Sequence, residues 1–263
     1  MRARTKQSAV ETSIRNSALQ CSACRADVET PVFTMAFQPI VDIEASKVFA
    51  YEALVRPIGG GSALTVLGQV TDANRYSFDQ ACRTRAIELA AKLGMPCFLS
   101  INFLPNAVYQ AAACIRQTVQ AARENDFPLH HIIFEVTEDE QSRDPAHLKS
   151  IFTEYKRRGM MTAIDDFGAG HSGLSLLAEF QPDIIKVDMA LTRDINRDVT
   201  RQAITRGIIS IAHDLGISVV AEGVESLDEA RALRDLGIKL FQGYLFARPG
   251  LEQLPRVSLL NLP

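Results

Sequence analysis

The chain has 263 residues, 47% of them hydrophobic and 22% charged, with a formal net charge of −3. Disorder needs low hydrophobicity and high net charge, so it is excluded for the bulk of the chain, and the apolar fraction is ample for one large core. No run of ~18 apolar residues marks a membrane span, no apolar stretch follows the basic N-terminus as in a secretory signal, and no basic excess attracts nucleic acid. The expectation is a soluble, cytoplasmic protein without DNA, RNA or a membrane as partner.

Residues 1–30 are polar and aperiodic up to Pro31, which reads as a tail or a short extra element. Cys21 and Cys24 have the spacing of half a zinc site, but no second pair or nearby His completes it, so a structural or accidental pair is expected. Cys82, Cys97 and Cys114 sit in apolar segments and are expected to be small buried hydrophobes.

From Phe33 the pattern becomes regular. Apolar, β-branched runs at 33–41, 48–55, 96–103, 131–137, 160–166, 183–189, 217–223 and 239–246 predict eight strands. The first two are separated by only a few residues around Glu44–Lys47, too few for a crossover helix, so a hairpin is predicted there. The segments between most of the others carry helix signals. Ser77-Phe-Asp-Gln80 and Ser226-Leu-Asp-Glu229 match the capping box, in which the first and fourth side chains each satisfy an orphan backbone donor. Ile204, Ile208, Ile211 and Leu215 recur at helical spacing and stop before Gly216, while Lys156-Arg157-Arg158 before Gly159 reads as a basic, solvated last turn. Eight such alternations over ~230 residues predict an α/β fold, a (β/α)8 TIM-like barrel with one antiparallel strand near the N-terminus; a doubly wound open sheet is the alternative.

A buried strand should be apolar throughout, yet nearly every run ends on a polar residue: Gln38, Glu52, Asn102, Glu135, Asp165 with Asp166, Lys186 with Asp188, Glu222 and Gln242. In a barrel those ends open on one face, where active sites are built. Glu52, Glu135, Asp165, Asp166 and Glu222 would then share one mouth with Lys186 as the only cation among the strand-end groups. Carboxylates that close cannot all stay ionised uncompensated, and the remedy suited to hard oxygen donors is a divalent cation, Mg2+ or Mn2+, two of them for a cluster of this size. With no His at these ends, zinc is disfavoured. Two such ions ~3.5–4 Å apart are the usual device for in-line displacement at a phosphodiester. Arg56 is placed to meet a phosphate with its fork of donors.

The segment Glu52-Ala53-Leu54 with Val55-Arg56 resembles the signature of EAL-domain cyclic-di-GMP phosphodiesterases. The resemblance continues in order through Gln38-Pro-Ile-Val-Asp42, Ser100-Ile-Asn102, Glu135-Val-Thr-Glu138, Asp165-Asp-Phe-Gly168, Lys186-Val-Asp188, Glu222-Gly-Val-Glu225 and Gln242-Gly-Tyr-Leu-Phe246. The motif EAL alone means nothing; the ordered set over ~33–250 is specific. It implies a division into the tail of 1–30, a barrel domain over 31–257 and a C-terminal tail over 258–263. It implies further that Glu52, Asn102, Glu135 and Asp165 bind a first metal and Asp165, Asp166 and Glu222 a second, with Lys186 fixing the attacking water. Arg56 would contact a phosphate, Gln38, Leu54, Asp188, Glu225 and Gln242 would line the nucleotide site, and Glu138 would steady the loop after Asp165-Asp166. Such enzymes open cyclic di-GMP to linear pGpG with Mg2+ or Mn2+, are inhibited by Ca2+ and are commonly homodimers. The loop here reads Asp166-Phe-Gly-Ala-Gly-His-Ser-Gly173, against a commoner Asp-Phe-Gly-Thr-Gly-Tyr-Ser-Ser, and Val187-Asp-Met-Ala-Leu191 replaces a commoner Ile-Asp-Arg-Ser-Phe. Neither departure touches an expected ligand.

The implied activity is a metal-dependent phosphodiesterase. The alternative is a catalytically silent cyclic-di-GMP receptor acting through a protein partner, and a barrel phosphoesterase with another substrate is a third reading. The first 30 residues are too few for a sensor or cyclase domain, which leaves a stand-alone chain, a fragment of a longer regulator, or control through a regulatory protein partner.

Overall fold

Strand β1 (Thr34–Asp42) turns back through Ser46, held at φ 49°, into β2 (Lys47–Arg56), forming the antiparallel hairpin that the short connection required. From β2 the chain runs through parallel strands β3 (Phe98–Asn102), β4 (Ile132–Thr137), β5 (Met161–Phe167), β6 (Ile184–Val187), β7 (Ser218–Ala221) and β8 (Leu240–Gln242), each paired to the one before. β1 then pairs antiparallel with β8 as well as β2, which closes an eight-stranded barrel and excludes the open sheet. A short ninth strand, β9 (Gly250–Leu251), pairs with the far half of β1 and has no counterpart in the sequence pattern. The computed structural model describes residues 29–108, 110–138, 145–170 and 173–257; Cys21, Cys24, His171, the C-terminal tail and all but the last two residues of the N-terminal segment lie outside that range.

Alternation along the strands sorts the barrel interior into two levels. Ile40, Ala50, Ile133, Ala163, Ile184, Val220 and Leu240 form one buried apolar cluster inside the barrel. Two residues away on the same face of each strand come Gln38, Glu52, Glu135, Asp165, Lys186, Glu222 and Gln242, because side chains repeat their direction every second residue. The interior is therefore an apolar floor under a polar storey, and the second opens where the parallel strands end.

The helices are α1 (Leu64–Leu67), α2 (Arg75–Lys92), α3 (Ala111–Glu124), α4 (Pro145–Arg157), α5 (Gly173–Glu179), α6 (Met189–Thr192), α7 (Val199–Asp214) and α8 (Leu227–Asp235). The capping box at Ser226 and Glu229 forms as read. That at Ser77 does not: α2 begins earlier, with Asn74 in the cap position, so Ser77 lies inside the helix. Gly159 (φ 85°) and Gly216 (φ 70°) take the left-handed conformation that ends a helix, and Arg157 and Arg158 both pair with Glu154 in the solvated turn. Along α7 the apolar repeat splits: Ile208 is buried, while Ile204, Ile211 and the following Leu215 stay exposed. Cys82 and Cys114 are buried, but Cys97, just ahead of β3, is only half-buried.

One core feature is absent from any local pattern. Arg83 of α2 is fully buried, its guanidinium 2.7 Å from Asp79 and 2.8 Å from the Tyr155 hydroxyl, within 5.1–5.9 Å of the ring centres of Phe134, Phe103 and Tyr155. Asp79 in turn accepts the Leu104 backbone N–H at 3.0 Å, which anchors the chain two residues past Asn102.

Candidate active site

Lys186, 0% exposed, stands at the centre of the polar storey. Its ammonium lies 2.8 Å from Asp165, 2.8 Å from Glu222, 3.1 Å from Glu135 and 3.3 Å from Glu52, so residues near the C-terminal ends of β2, β4 and β5 and the loop after β7 converge on one nitrogen of β6. Around this hub, Asn102 donates to Glu52 at 2.9 Å, Gln242 donates to Glu52 at 2.7 Å, and the Ser100 hydroxyl donates to Glu135. Ser100 was not singled out as a site residue, although its place two residues before Asn102 puts it on the same face of β3.

The carboxylates group into two triads whose oxygens lie within 4.8 Å of one another: Glu52, Glu135 and Asp165, and Asp165, Asp166 and Glu222. Asp165 belongs to both. Consecutive strand residues normally point to opposite faces, and the structure shows how this pair escapes that rule. Asp166 adopts φ 53°, and the β5–β6 register slips between Ile164 and Phe167, a bulge that turns both carboxylates toward the mouth. Asp is among the few residues that tolerate this left-handed conformation.

Five carboxylates against one ammonium leave four negative charges in excess when all are ionised. Burial pushes the Glu135 carboxyl up to about 8; Lys186 pulls it back, and Glu52 and Asp165 push it further. Burial, reinforced by Asp165 and Asp188, likewise raises Asp166 to about 6, and burial holds Glu222 well above the ordinary range. For Lys186, burial alone would favour the neutral amine, but Asp165, Glu135, Glu222 and Glu52 outweigh it and keep the ammonium protonated. The cluster thus carries more negative charge than its protein partners satisfy, and every donor atom is a hard oxygen. That donor set fits divalent cations such as Mg2+ or Mn2+ rather than zinc.

Two hollows flank this centre. A mouth of about 250 Å3 includes Gln38, Glu52, Asp166, Asp188, Glu222, Glu225, Gln242 and Tyr244. A larger, mainly apolar cavity of about 580 Å3 includes Leu54, Arg56, Leu67, Val70, Phe78 and Asn102. The residues read as lining a nucleotide site are therefore split, with Leu54 and Arg56 on the cavity side and Gln38, Asp188, Glu225 and Gln242 at the mouth. One Arg56 amino group is engaged by its neighbour's carbonyl, Val55, at 2.7 Å. Glu138, 3% exposed, accepts the backbone N–H groups of Gly168 at 2.8 Å, Gly170 at 3.3 Å and Gly173 at 2.6 Å, pinning both ends of the loop that follows Asp165 and Asp166. Tyr244, with Arg248 stacked 4.1 Å from its ring centre, was missed as a lining residue, because nothing in the local pattern says which side chains face across a mouth.

A family model described as EAL domain matches residues 22–249. The chain belongs to the EAL domain family. Among curated relatives, it is 33% identical over 224 residues to the blue light- and temperature-regulated antirepressor BluF of Escherichia coli K12, covering 85% of this chain and 56% of BluF. It is 31% identical over 231 residues to the cyclic di-GMP phosphodiesterase PA2567 of Pseudomonas aeruginosa, covering 84% of this chain and 39% of that protein. The EAL chain thus spans about half or less of the length of these curated relatives. Among solved structures, a standalone versatile EAL protein from Vibrio cholerae O395 in its c-di-GMP-bound form is 52% identical, with a TM-score of 0.85, covering 88% of this chain and 98% of that one. A manganese and cyclic-di-GMP complex of Klebsiella pneumoniae BlrP1 is 38% identical with a TM-score of 0.82, covering 88% and 59% of the two chains.

Proposed function

We propose that this EAL domain hydrolyses cyclic di-GMP to linear pGpG in a reaction that needs two divalent cations, Mg2+ or Mn2+. The observation that carries this reading is the pair of carboxylate triads sharing Asp165 above one buried lysine. In it, Glu52, Asn102, Glu135 and Asp165 hold one ion, and Asp165, Asp166 and Glu222 the other. Asn102 donates to Glu52 through Nδ2, which leaves its carbonyl oxygen for a cation. The four excess negative charges match the charge of two such ions. The ions supply Lewis acidity and a water that is nucleophilic at neutral pH.

The protein's part is to position and to balance charge. Lys186 stays protonated and orients the attacking water by donation, so it acts as a hydrogen-bond donor and counter-charge rather than as a base. Water adds to one phosphorus, the bond to the ribose oxygen breaks, and the proton passes to that oxygen. Arg56 and the apolar cavity take one half of the dinucleotide; Gln38, Asp188, Glu225 and Gln242 take the other. Glu138 holds the loop behind Asp165 and Asp166. The relative named as a cyclic di-GMP phosphodiesterase and the EAL structures solved with cyclic di-GMP and manganese support the substrate and the metal. A calcium and cyclic-di-GMP complex of BlrP1 has also been solved, and inhibition by Ca2+ is part of the proposal.

The barrel domain is assigned to 31–257, with tails on either side. A homodimer belongs to the same reading: Ile204, Ile211 and the C-cap Leu215, 47%, 38% and 43% exposed, leave an apolar strip along α7 for a second copy to cover. No helix among the described residues is long and apolar enough to cross a membrane. A silent receptor working through a protein partner is the second reading, favoured by the likeness to BluF, an antirepressor. Incubation with cyclic di-GMP and Mn2+, followed by chromatography, separates the two. Appearance of pGpG establishes the phosphodiesterase, binding without product establishes the receptor, and a protein that shows neither binding nor product removes both readings.

A further inference from the structure

We propose that Arg193 is a positioning residue for the substrate, acting through Glu225; this rests on the cyclic-di-GMP reading above. Arg193 follows the short helix α6 and meets Glu225 of the next loop end-on, with its two amino groups, Nη1 and Nη2, donating to the two carboxylate oxygens at 3.1 and 3.0 Å. A fork paired to a carboxylate in this way fixes the direction of both groups, which a lysine's point charge does not.

Both partners are held from behind. The Arg193 carbonyl accepts from Arg201, and the Glu225 backbone N–H donates to buried Glu229 at 3.0 Å. The same Glu229 accepts from the Asp194 backbone at 2.9 Å, and Thr192 donates to the Glu222 carbonyl. The loop carrying Asp188 and the loop carrying Glu222 and Glu225 are thus joined independently of the ion pair, and Arg193 can be lost without separating them. At side-chain exposures of 36% and 43% the pair adds little to stability, so its geometry calls for another reason.

The charge around the mouth supplies one. Glu52, Asp166, Asp188, Glu222 and Glu225 all line it, and among the described residues no lysine or arginine does. Two divalent ions and Lys186 balance the five acids of the metal cluster, which leaves Asp188 and Glu225 as surplus negative charge facing a substrate with two phosphodiester anions. Arg193 cancels the charge of Glu225 and holds its carboxylate still, so that it can accept a hydrogen bond from a base edge without repelling the phosphates.

The test measures turnover of cyclic di-GMP with Mn2+, and its binding with Ca2+, for the wild type, Arg193→Ala, Arg193→Lys, Glu225→Gln and the double variant Arg193→Ala/Glu225→Gln. Arg193→Ala should raise KM and Kd about tenfold with kcat changed less than about twofold, and Arg193→Lys should recover only part of this. In the Glu225→Gln background, where no charge remains to cancel, Arg193→Ala should have no further effect on KM, and the Mn2+-induced rise in melting temperature should be the same in all five proteins. An unchanged KM in Arg193→Ala, an equal effect in both backgrounds, or a loss confined to kcat overturns the proposal while leaving the phosphodiesterase reading intact. A wild type that neither binds nor turns over the dinucleotide overturns both.

Discussion

Replacing Glu135 by Gln separates what the acid cluster does for stability from what it does for chemistry. The amide matches the carboxylate in shape; its oxygen accepts from Lys186 and its NH2 group donates to Ser100. The wild-type carboxyl is pushed up to about 8 from an ordinary 4.5, so the metal-free fold favours the protonated form. A raised carboxyl contributes stability that is complete below the unfolded value near 4.5 and is lost as pH rises through about 8. At 1.36 kcal/mol per pH unit, the penalty for ionising Glu135 in the metal-free fold has a ceiling of about 5 kcal/mol. Lys186 sharing its attraction among the remaining carboxylates takes up part of that, and we expect about 2 kcal/mol of recovered stability, or about 4–8 °C in Tm, at pH 8. At pH 4.5, where most of the penalty is absent, the two proteins should melt closer together. With Mn2+ at pH 8 the order reverses, because the wild type is stabilised by the ion and the Gln variant has lost a ligand of it. Melting curves with chelator and with Mn2+, alongside turnover, read all of this. A metal-free Gln variant less stable than wild type at pH 8 would show that the cluster is not under electrostatic load, and one retaining full Mn2+ stabilisation and turnover would remove Glu135 from the metal site.

The remaining predictions concern neighbouring groups. Because Asp166 titrates near 6 and Glu135 near 8, protons compete with the ions, and the Mn2+-induced Tm rise should grow between pH 6 and pH 8; a flat profile refutes that competition. Asp165→Asn should abolish turnover and most Mn2+ stabilisation together, since both triads share that residue, whereas loss of only half the bound ion measured by calorimetry would mean the sites are independent. Glu138→Ala strips an acceptor from three backbone N–H groups, so Gly168, Gly170 and Gly173 should lose protection in hydrogen exchange while the strands keep theirs. A Cβ on Gly243 would fall 2.0 Å from the Val224 carbonyl oxygen, so Gly243→Ala should cost about 3 kcal/mol or more in a urea melt; a neutral result would mean the two backbones part easily.

The sequence by itself determined the eight strands of the barrel, the hairpin and the end of the barrel that would be chemical. Strand side chains repeat every second residue, so an apolar run that turns polar at its C-terminal end, as in Ile133 to Glu135 or Ile184 to Lys186, already encodes a floor and a storey. The ordered set of motifs carried the family for the same reason: each is a short stretch whose meaning is local. What the tertiary structure decided is who meets whom. Lys186 has four carboxylate partners only because closure brings the ends of different strands to one axis, and register across strands is not written in any one of them. Asp165 and Asp166 share a mouth because a bulge and a left-handed residue override alternation. Ser77 fails as a cap, and the helical repeat of Ile204, Ile208 and Ile211 buries only Ile208, because a pattern of spacing fixes which residues share a helix face and leaves open where the helix starts and what that face is packed against. The Arg83–Asp79 pair and the Arg193–Glu225 fork were invisible to the sequence for the opposite reason: a charged residue is read as solvent-facing until the fold supplies its partner.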